Sequence, residues 1–261
     1  MKIICLNVEG GAGNKERFEN LIRFVQKEQP DVLGLLELVD WDKNDFVKLK
    51  NFLDRTSFQD YLFCKANSPF HMALFTKKKI DLKVILNEKV GHGLLKIKFS
   101  SIIGSITVLL THLTPGSEYA RLREVKVVLR HVPQDDPVIL MGDFNSLAIH
   151  DSYDVENLLA VFKELGIRKF GENEIIRLVI PKIIEYGFED SAVLMKSAFI
   201  HTVPTLANQD QAHAFNLRLD YIFCTKSLAS YLKQYQVIQN PDTNKLSDHY
   251  PVMTEFIFKH E

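Results

Sequence analysis

Short apolar runs that read as β-strands outnumber the helical patterns in this chain, and several follow one another with no helix between them; nothing else constrains the fold as much. The runs are Ile3 to Leu6, Val32 to Leu36, Met72 to Thr76, Leu94 to Phe99, Ile106 to His112, Val138 to Met141, Leu219 to Thr225 and Val252 to Phe258. Helical spacing places Phe18, Leu21, Ile22 and Val25 on one face of a helix that Asn14 caps and Pro30 terminates. The same spacing recurs at Phe46, Leu49 and Leu53, and at Leu122, Val125, Leu129 and Val132 after the Thr114-Pro115-Gly116-Ser117 turn. A strictly alternating strand-helix sheet does not fit this order; two packed sheets with helices outside do. Gly166 to Asp190 reads as an insertion covering one flank, in which Pro181 would kink or split a helix over Glu174 to Tyr186. Asn208 to Gln211 reads as a polar surface loop, and without repeats or linkers residues 1–261 are expected to form one domain.

At 46% hydrophobic and 25% charged residues, 261 residues can bury a substantial core. The formal net charge is −1 and the longest basic run is Lys77-Lys78-Lys79, read as a solvated hairpin end. That argues against gripping a long duplex through release of many counterions and leaves room for local phosphate contacts. The apolar start, Ile3 to Leu6, is too short for a signal sequence and no 18 apolar residues run together, so the expectation is a cytoplasmic protein with no membrane span. Cys5, Cys64 and Cys224 are widely separated in apolar surroundings and suit reduced core thiols. Nothing in the pattern encodes an oligomeric state.

The apolar runs share a second property: polar residues gather at their ends. Asn7 and Glu9 follow the first, Glu37 the second, and His112 closes the fifth. Asp143 and Asn145 follow Val138 to Met141, Asp220 adjoins Tyr221-Ile222-Phe223, and Ser247-Asp248-His249 precedes the last. Strand ends meet at the rim of a sheet, so these groups are candidates to converge. Two carboxylates about 4 Å apart repel by roughly 4 kcal/mol at an effective dielectric near 20, so several at one rim call for a cation. Carboxylate and amide oxygens are hard ligands, and zinc spacings such as HExxH or CxxC are missing, which points to magnesium or manganese.

In this order, Asn7-Val8-Glu9, Glu37, Thr111-His112-Leu113, Gly142-Asp143-Phe144-Asn145, Leu219-Asp220-Tyr221-Ile222-Phe223 and Ser247 to Val252 resemble the endonuclease/exonuclease/phosphatase superfamily of deoxyribonuclease-I-like metal-dependent phosphoesterases. The resemblance implies an α/β (α+β) fold, a four-layered α/β/β/α sandwich of two packed mixed sheets flanked by helices, and magnesium-dependent cleavage of phosphate esters. It also implies roles. Glu37 would be the principal metal ligand, with Glu9 and Asp248 as direct or water-mediated ligands. Asp143 would activate water, Asn7 and Asn145 would hold the phosphate or fix that acid, His249 paired with Asp220 would stabilise the transition state, and His112 would contact the same phosphate. The sequence departs from the family at Glu9, where many relatives carry Asp, and at Leu36, where Gln is frequent before the Glu. It also lacks the second aromatic or basic segment with which DNA-repair members wedge into a duplex.

The leading expectation is a phosphodiesterase or nuclease acting on a nucleic acid or nucleotide-like ester. A phosphomonoesterase or inositol/lipid phosphatase is the alternative, and a non-catalytic binding module is a third reading, opposed by polar residues at every matched position. Weaker candidates read more simply as structural: His71 as a solvated loop histidine, Arg121 as a surface ion pair with Glu124, and Arg218 as a partner for a phosphate or a nearby carboxylate.

Overall fold

The computed structural model describes residues 1–134, 137–213 and 215–258. The first four strands, β1 (Lys2–Asn7), β2 (Val32–Leu36), β3 (Asp60–Cys64) and β4 (Met72–Thr76), begin one sheet. The next six, β5 (Leu82–Leu86), β6 (Leu94–Ser101), β7 (Gly104–His112), β8 (Val138–Asp143), β9 (Phe188–Asp190) and β10 (Asp220–Thr225), build the second. The last two, β11 (Leu232–Val237) and β12 (Val252–Phe256), return to the first, giving the orders β11-β12-β1-β2-β4-β3 and β5-β6-β7-β8-β10-β9. The helices are α1 (Glu9–Ala12), α2 (Lys15–Glu28), α3 (Lys43–Asp54), α4 (Glu118–Arg130), α5 (Val155–Glu164), α6 (Val179–Tyr186), α7 (Ser191–Leu194) and α8 (Lys226–Ala229).

Strand alternation builds the layers. On β1, Ile3 and Cys5 face the second sheet while Ile4 and Leu6 face α2 and α3, where Leu21, Ile22, Leu49 and Phe52 meet them. On the far side, Leu109 and Leu140 pack against Val125 and Val128 of α4 and Val179 and Ile183 of α6. Both faces of both central strands are therefore buried, which is why these runs are apolar throughout rather than alternating. At Gly34 the sheets leave no room for a side chain, since a Cβ would lie 2.7 Å from Met141 and 2.8 Å from Leu110. The expected sandwich of two mixed sheets between helices is what the chain adopts.

Strand direction then decides where the polar ends go. β1 runs parallel to β2 and β7 parallel to β8, while β10 and β12 run antiparallel to their neighbours. The C-terminal ends of β1, β2, β7 and β8 and the N-terminal ends of β10 and β12 thus share one rim.

Several local expectations need correction. Gly166 to Asp190 is part of the layered core: α6 supplies Val179, Ile180 and Ile183, and β9 pairs with β10. The helix starts at Val179, so Pro181 falls in its first turn, where its missing N–H has no helical partner to lose. The opening of α3 is left-handed at Asn44, Asp45 and Phe46, and Phe46 is turned outward, 36% exposed. The three cysteines are buried and free. No helix among the described residues is long and apolar enough to cross a membrane.

Candidate active site

Backbone pairing alone brings three site residues abreast, because Asp143 of β8 pairs with His112 of β7 on one side and with Asp220 of β10 on the other. Gly142 permits this, since a Cβ there would sit 1.8 Å from the Thr111 carbonyl oxygen. Glu9, Glu37 and Asn145 all have positive φ (43°, 60° and 51°), a conformation that costs a non-glycine residue about 1 kcal/mol or more. Three candidate residues on one rim therefore share the left-handed conformation.

Asn7 is the hub of the polar contacts. Its amide Nδ2 donates to Glu37 Oε1 at 3.0 Å and to Asp143 Oδ2 at 3.4 Å, while its Oδ1 accepts the Glu9 backbone N–H. Asp143 Oδ1 accepts the Asn145 N–H at 2.8 Å. The other oxygen of Asp143 lies 3.4 Å from His112 Nε2 and 3.9 Å from His249 Nε2. His249 Nδ1 is pinned to Asp220 Oδ2 at 2.7 Å, which aims Nε2 away from Asp220 towards Asp143 and towards Asp248, 4.0 Å away. Ser247 ties this loop to β1 by donating to the Asn7 carbonyl.

Burial dominates the electrostatics. It raises Glu37 above the ordinary carboxylate range, and the Asn7 hydrogen bond only partly offsets it. Burial also raises Glu9, with Asp248 adding to it, although Arg17 pairs with the Glu9 carboxylate at 3.0 Å. For Asp248 burial is outweighed by His249 and His213, which hold it down at about 2. Burial would lower His249, but Asp220, Asp248 and Asp143 outweigh it and keep the imidazole charged well above its usual range. His112 is pushed well below its usual range by burial, then by His92 and His249. One imidazolium, one neutral imidazole and several incompletely neutralised acids therefore share the rim.

The sequence profile of the endonuclease/exonuclease/phosphatase family matches residues 4–249. The chain belongs to that family. Its members are phosphoesterase hydrolases, nucleases and phosphatases among them. No curated protein sequence matches the chain significantly. Among solved structures, an AP endonuclease from Archaeoglobus fulgidus is similar at a TM-score of 0.74 and 18% identity, over 98% of this chain and 99% of that one. A 3' phosphatase from Neisseria bound to product DNA hairpin gives 0.72 at 19% identity, over 99% and 100%. A mannosyl-6-phosphatase from Bacteroides thetaiotaomicron gives 0.68 at 18% identity, over 99% and 100%.

In this family member, the donor set at the rim suits a divalent cation. Carboxylate oxygens of Asp143 and Asp220 lie within 4.8 Å of each other, as do a His213 ring nitrogen and an Asp248 oxygen; His249 adjoins both groups, but as an imidazolium it has no lone pair to give. Glu37 belongs to neither group; it is joined to Asp143 through the Asn7 amide, and among the described residues its carboxylate otherwise receives only the Gly10 N–H at 3.4 Å. A half-buried acid with so few donors on it fits a cation's demand for oxygen ligands.

The fold also brings in residues that the sequence reading missed. His213, at the end of the polar loop, lies 3.5 Å from Asp248 and edge-on to His249. His92 stacks on His112 with ring centroids 4.4 Å apart. Lys169 donates to Asn145 Oδ1 at 3.0 Å. A histidine in an otherwise polar loop was a usable signal for His213; Lys169 carried none.

The weaker candidates are corrected by burial. His71 is buried, 6% exposed, and faces Asp42 at 3.2 Å. Arg121 is fully buried and pairs with Glu118, not Glu124. Arg218 meets carboxylates, but those of Asp151 and Asp190 rather than Asp220. Its guanidinium borders a cavity of about 370 Å³, with His150 and Tyr235, that shares no residue with the rim.

Proposed function

We propose that this chain is a magnesium-dependent hydrolase of phosphate esters whose preferred substrate is a phosphodiester in a nucleic acid or nucleotide, manganese being a competent substitute. The observation carrying the reading is the Asp220–His249 pair, whose Nε2 is directed at the Asp143 carboxylate, itself held by the Asn7 side-chain amide and the Asn145 backbone N–H. A phosphodiester is a poor electrophile that carries charge into the transition state, so the site must both neutralise charge and aim a water.

Glu37, with Glu9 and Asp248 directly or through water, would hold the ion, which supplies Lewis-acid neutralisation of the phosphoryl oxygens. Asp143 orients the attacking water and accepts its proton; the Asn145 N–H on Oδ1 leaves Oδ2 facing the imidazoles. His249, held as an imidazolium by Asp220, donates through Nε2 to a non-bridging oxygen as negative charge accumulates there. The imidazole of His112 contacts a further oxygen, while the Asn7 side-chain amide and the Asn145 backbone N–H fix Asp143.

The test is hydrolysis of bis(p-nitrophenyl) phosphate and p-nitrophenyl phosphate with magnesium and then with EDTA. Turnover should require the metal, favour the diester, and fall by about 10³-fold or more in Asp143→Asn and His249→Ala while both variants stay folded. Unchanged rates in the two variants would refute the assignment.

A further inference from the structure

Lys169 enters the rim from the segment between α5 and α6, far from every family motif. Its ammonium has three N–H bonds; one goes to Asn145 Oδ1 at 3.0 Å, and among the described residues no other protein acceptor takes the remaining two. It stands beside the Phe170 ring, 5.0 Å from the centroid, within the field of Asp143, Asp210 and Asp248 but paired with none of them. Burial pushes it down to about 8. A lysine serving only to stabilise the fold would close on a carboxylate; one held among acids with open donors is arranged for an anion that arrives later.

The scaffold behind it is specific. Arg121, fully buried, donates to the Lys169 carbonyl at 2.6 Å and is locked to Glu118 at 2.8 Å. Glu118 Oε1 in turn accepts from Ser146 Oγ at 2.7 Å and from the backbone N–H groups of Leu178 and Val179. One buried ion pair therefore fixes Lys169, the far end of its segment, and the residue next to Asn145. That pair fixes the backbone from which the ammonium reaches the amide.

Charge balance shows what the ammonium contributes. Glu9, Glu37, Asp143, Asp220 and Asp248 are opposed by Arg17, His249 and Lys169. Lys169 offsets part of the negative charge that would otherwise repel an anion. We propose that Lys169 binds the reacting phosphoryl group directly, donating one of its open N–H bonds to a non-bridging oxygen. This rests on the phosphoesterase reading above.

Binding of inorganic phosphate to the magnesium-loaded protein, followed by calorimetry or ³¹P NMR, tests it. Lys169→Met should weaken phosphate binding at least about tenfold, Lys169→Arg should stay within about threefold, and a similar loss should recur when Lys169→Met is added to Asn145→Ala. Thermal unfolding checks that each variant is folded. Wild-type affinity in Lys169→Met, or no further loss in the Asn145→Ala background, would overturn the proposal, the latter by showing that the lysine acts only through the amide. Failure of the phosphoesterase reading has a different signature: wild-type protein without magnesium-dependent turnover, whatever the phosphate affinities.

Discussion

Arg218 and Asp220 stand two residues apart where β10 begins, and each belongs to a buried charge cluster; the clusters differ in how far they are closed. At Arg218, the guanidinium grips both oxygens of Asp190, at 3.2 and 2.7 Å, and Asp190 also accepts the Ala192 N–H and faces His150 at 3.0 Å. Burial would raise Asp190, but His150 and Arg218 outweigh it and hold its carboxyl below the ordinary range. At the rim, half-buried Glu37 has one amide and one long backbone contact, and its carboxyl is pushed up instead. The opposite shifts separate an acid whose protein partners are all present from a less deeply buried one that keeps few.

The largest effects should split the two residues cleanly. Asp220→Asn is expected to lower kcat/KM by about 10³-fold, about 4 kcal/mol of transition-state stabilisation, with little loss of fold, because it removes the charge that holds the His249 imidazolium. Arg218→Met should do the reverse, costing about 3–5 kcal/mol of stability by stranding two buried carboxylates while the folded fraction keeps its turnover within about threefold. Denaturant unfolding paired with initial rates reads both; a variant that loses stability and turnover in parallel would dissolve the distinction.

A smaller effect, in pH dependence, sharpens it. Asp190 has a depressed pKa in the fold, so its contribution is present above the unfolded value, about 3.9, and is lost as pH falls through the folded one. Glu37 has a raised pKa, so ionising it costs native stability as pH climbs above the unfolded value, about 4.3. In EDTA, Asp190→Asn should therefore destabilise at neutral pH with a deficit that shrinks in acid. Glu37→Gln should stabilise at neutral pH with an advantage that vanishes below about pH 4. The same sign for both substitutions would contradict the comparison.

What the sequence disclosed follows the same division. Asn7, Glu37, His112, Asp143, Asp220 and His249 sit at the ends of central strands, where a continuous apolar run makes the polar stop conspicuous and strand direction sends it to one rim. The edge strands β3, β5 and β11 were illegible because each has a solvated face that breaks the apolar signal, as Tyr61, Leu82 and Gln234 show. Arg121 has an acid three residues to either side, at equivalent helical spacing, and only the packing of residues 169–179 over α4 selects Glu118 and buries the pair. Lys169 inherits that illegibility, since its position depends on contacts with residues 24 and 48 positions away.

Thermal unfolding with and without magnesium tests the central claim most directly, because it asks whether the open cluster is completed by a cation. At about 100 times its Kd a ligand specific to the native state adds about 2.7 kcal/mol, roughly 5–10 °C for a chain of this size. Magnesium should raise the Tm of the wild-type protein by that order, whereas Glu37→Gln should melt higher than wild type in EDTA and respond little to the metal. A wild-type Tm indifferent to magnesium, or an equal rise in both proteins, would contradict the account.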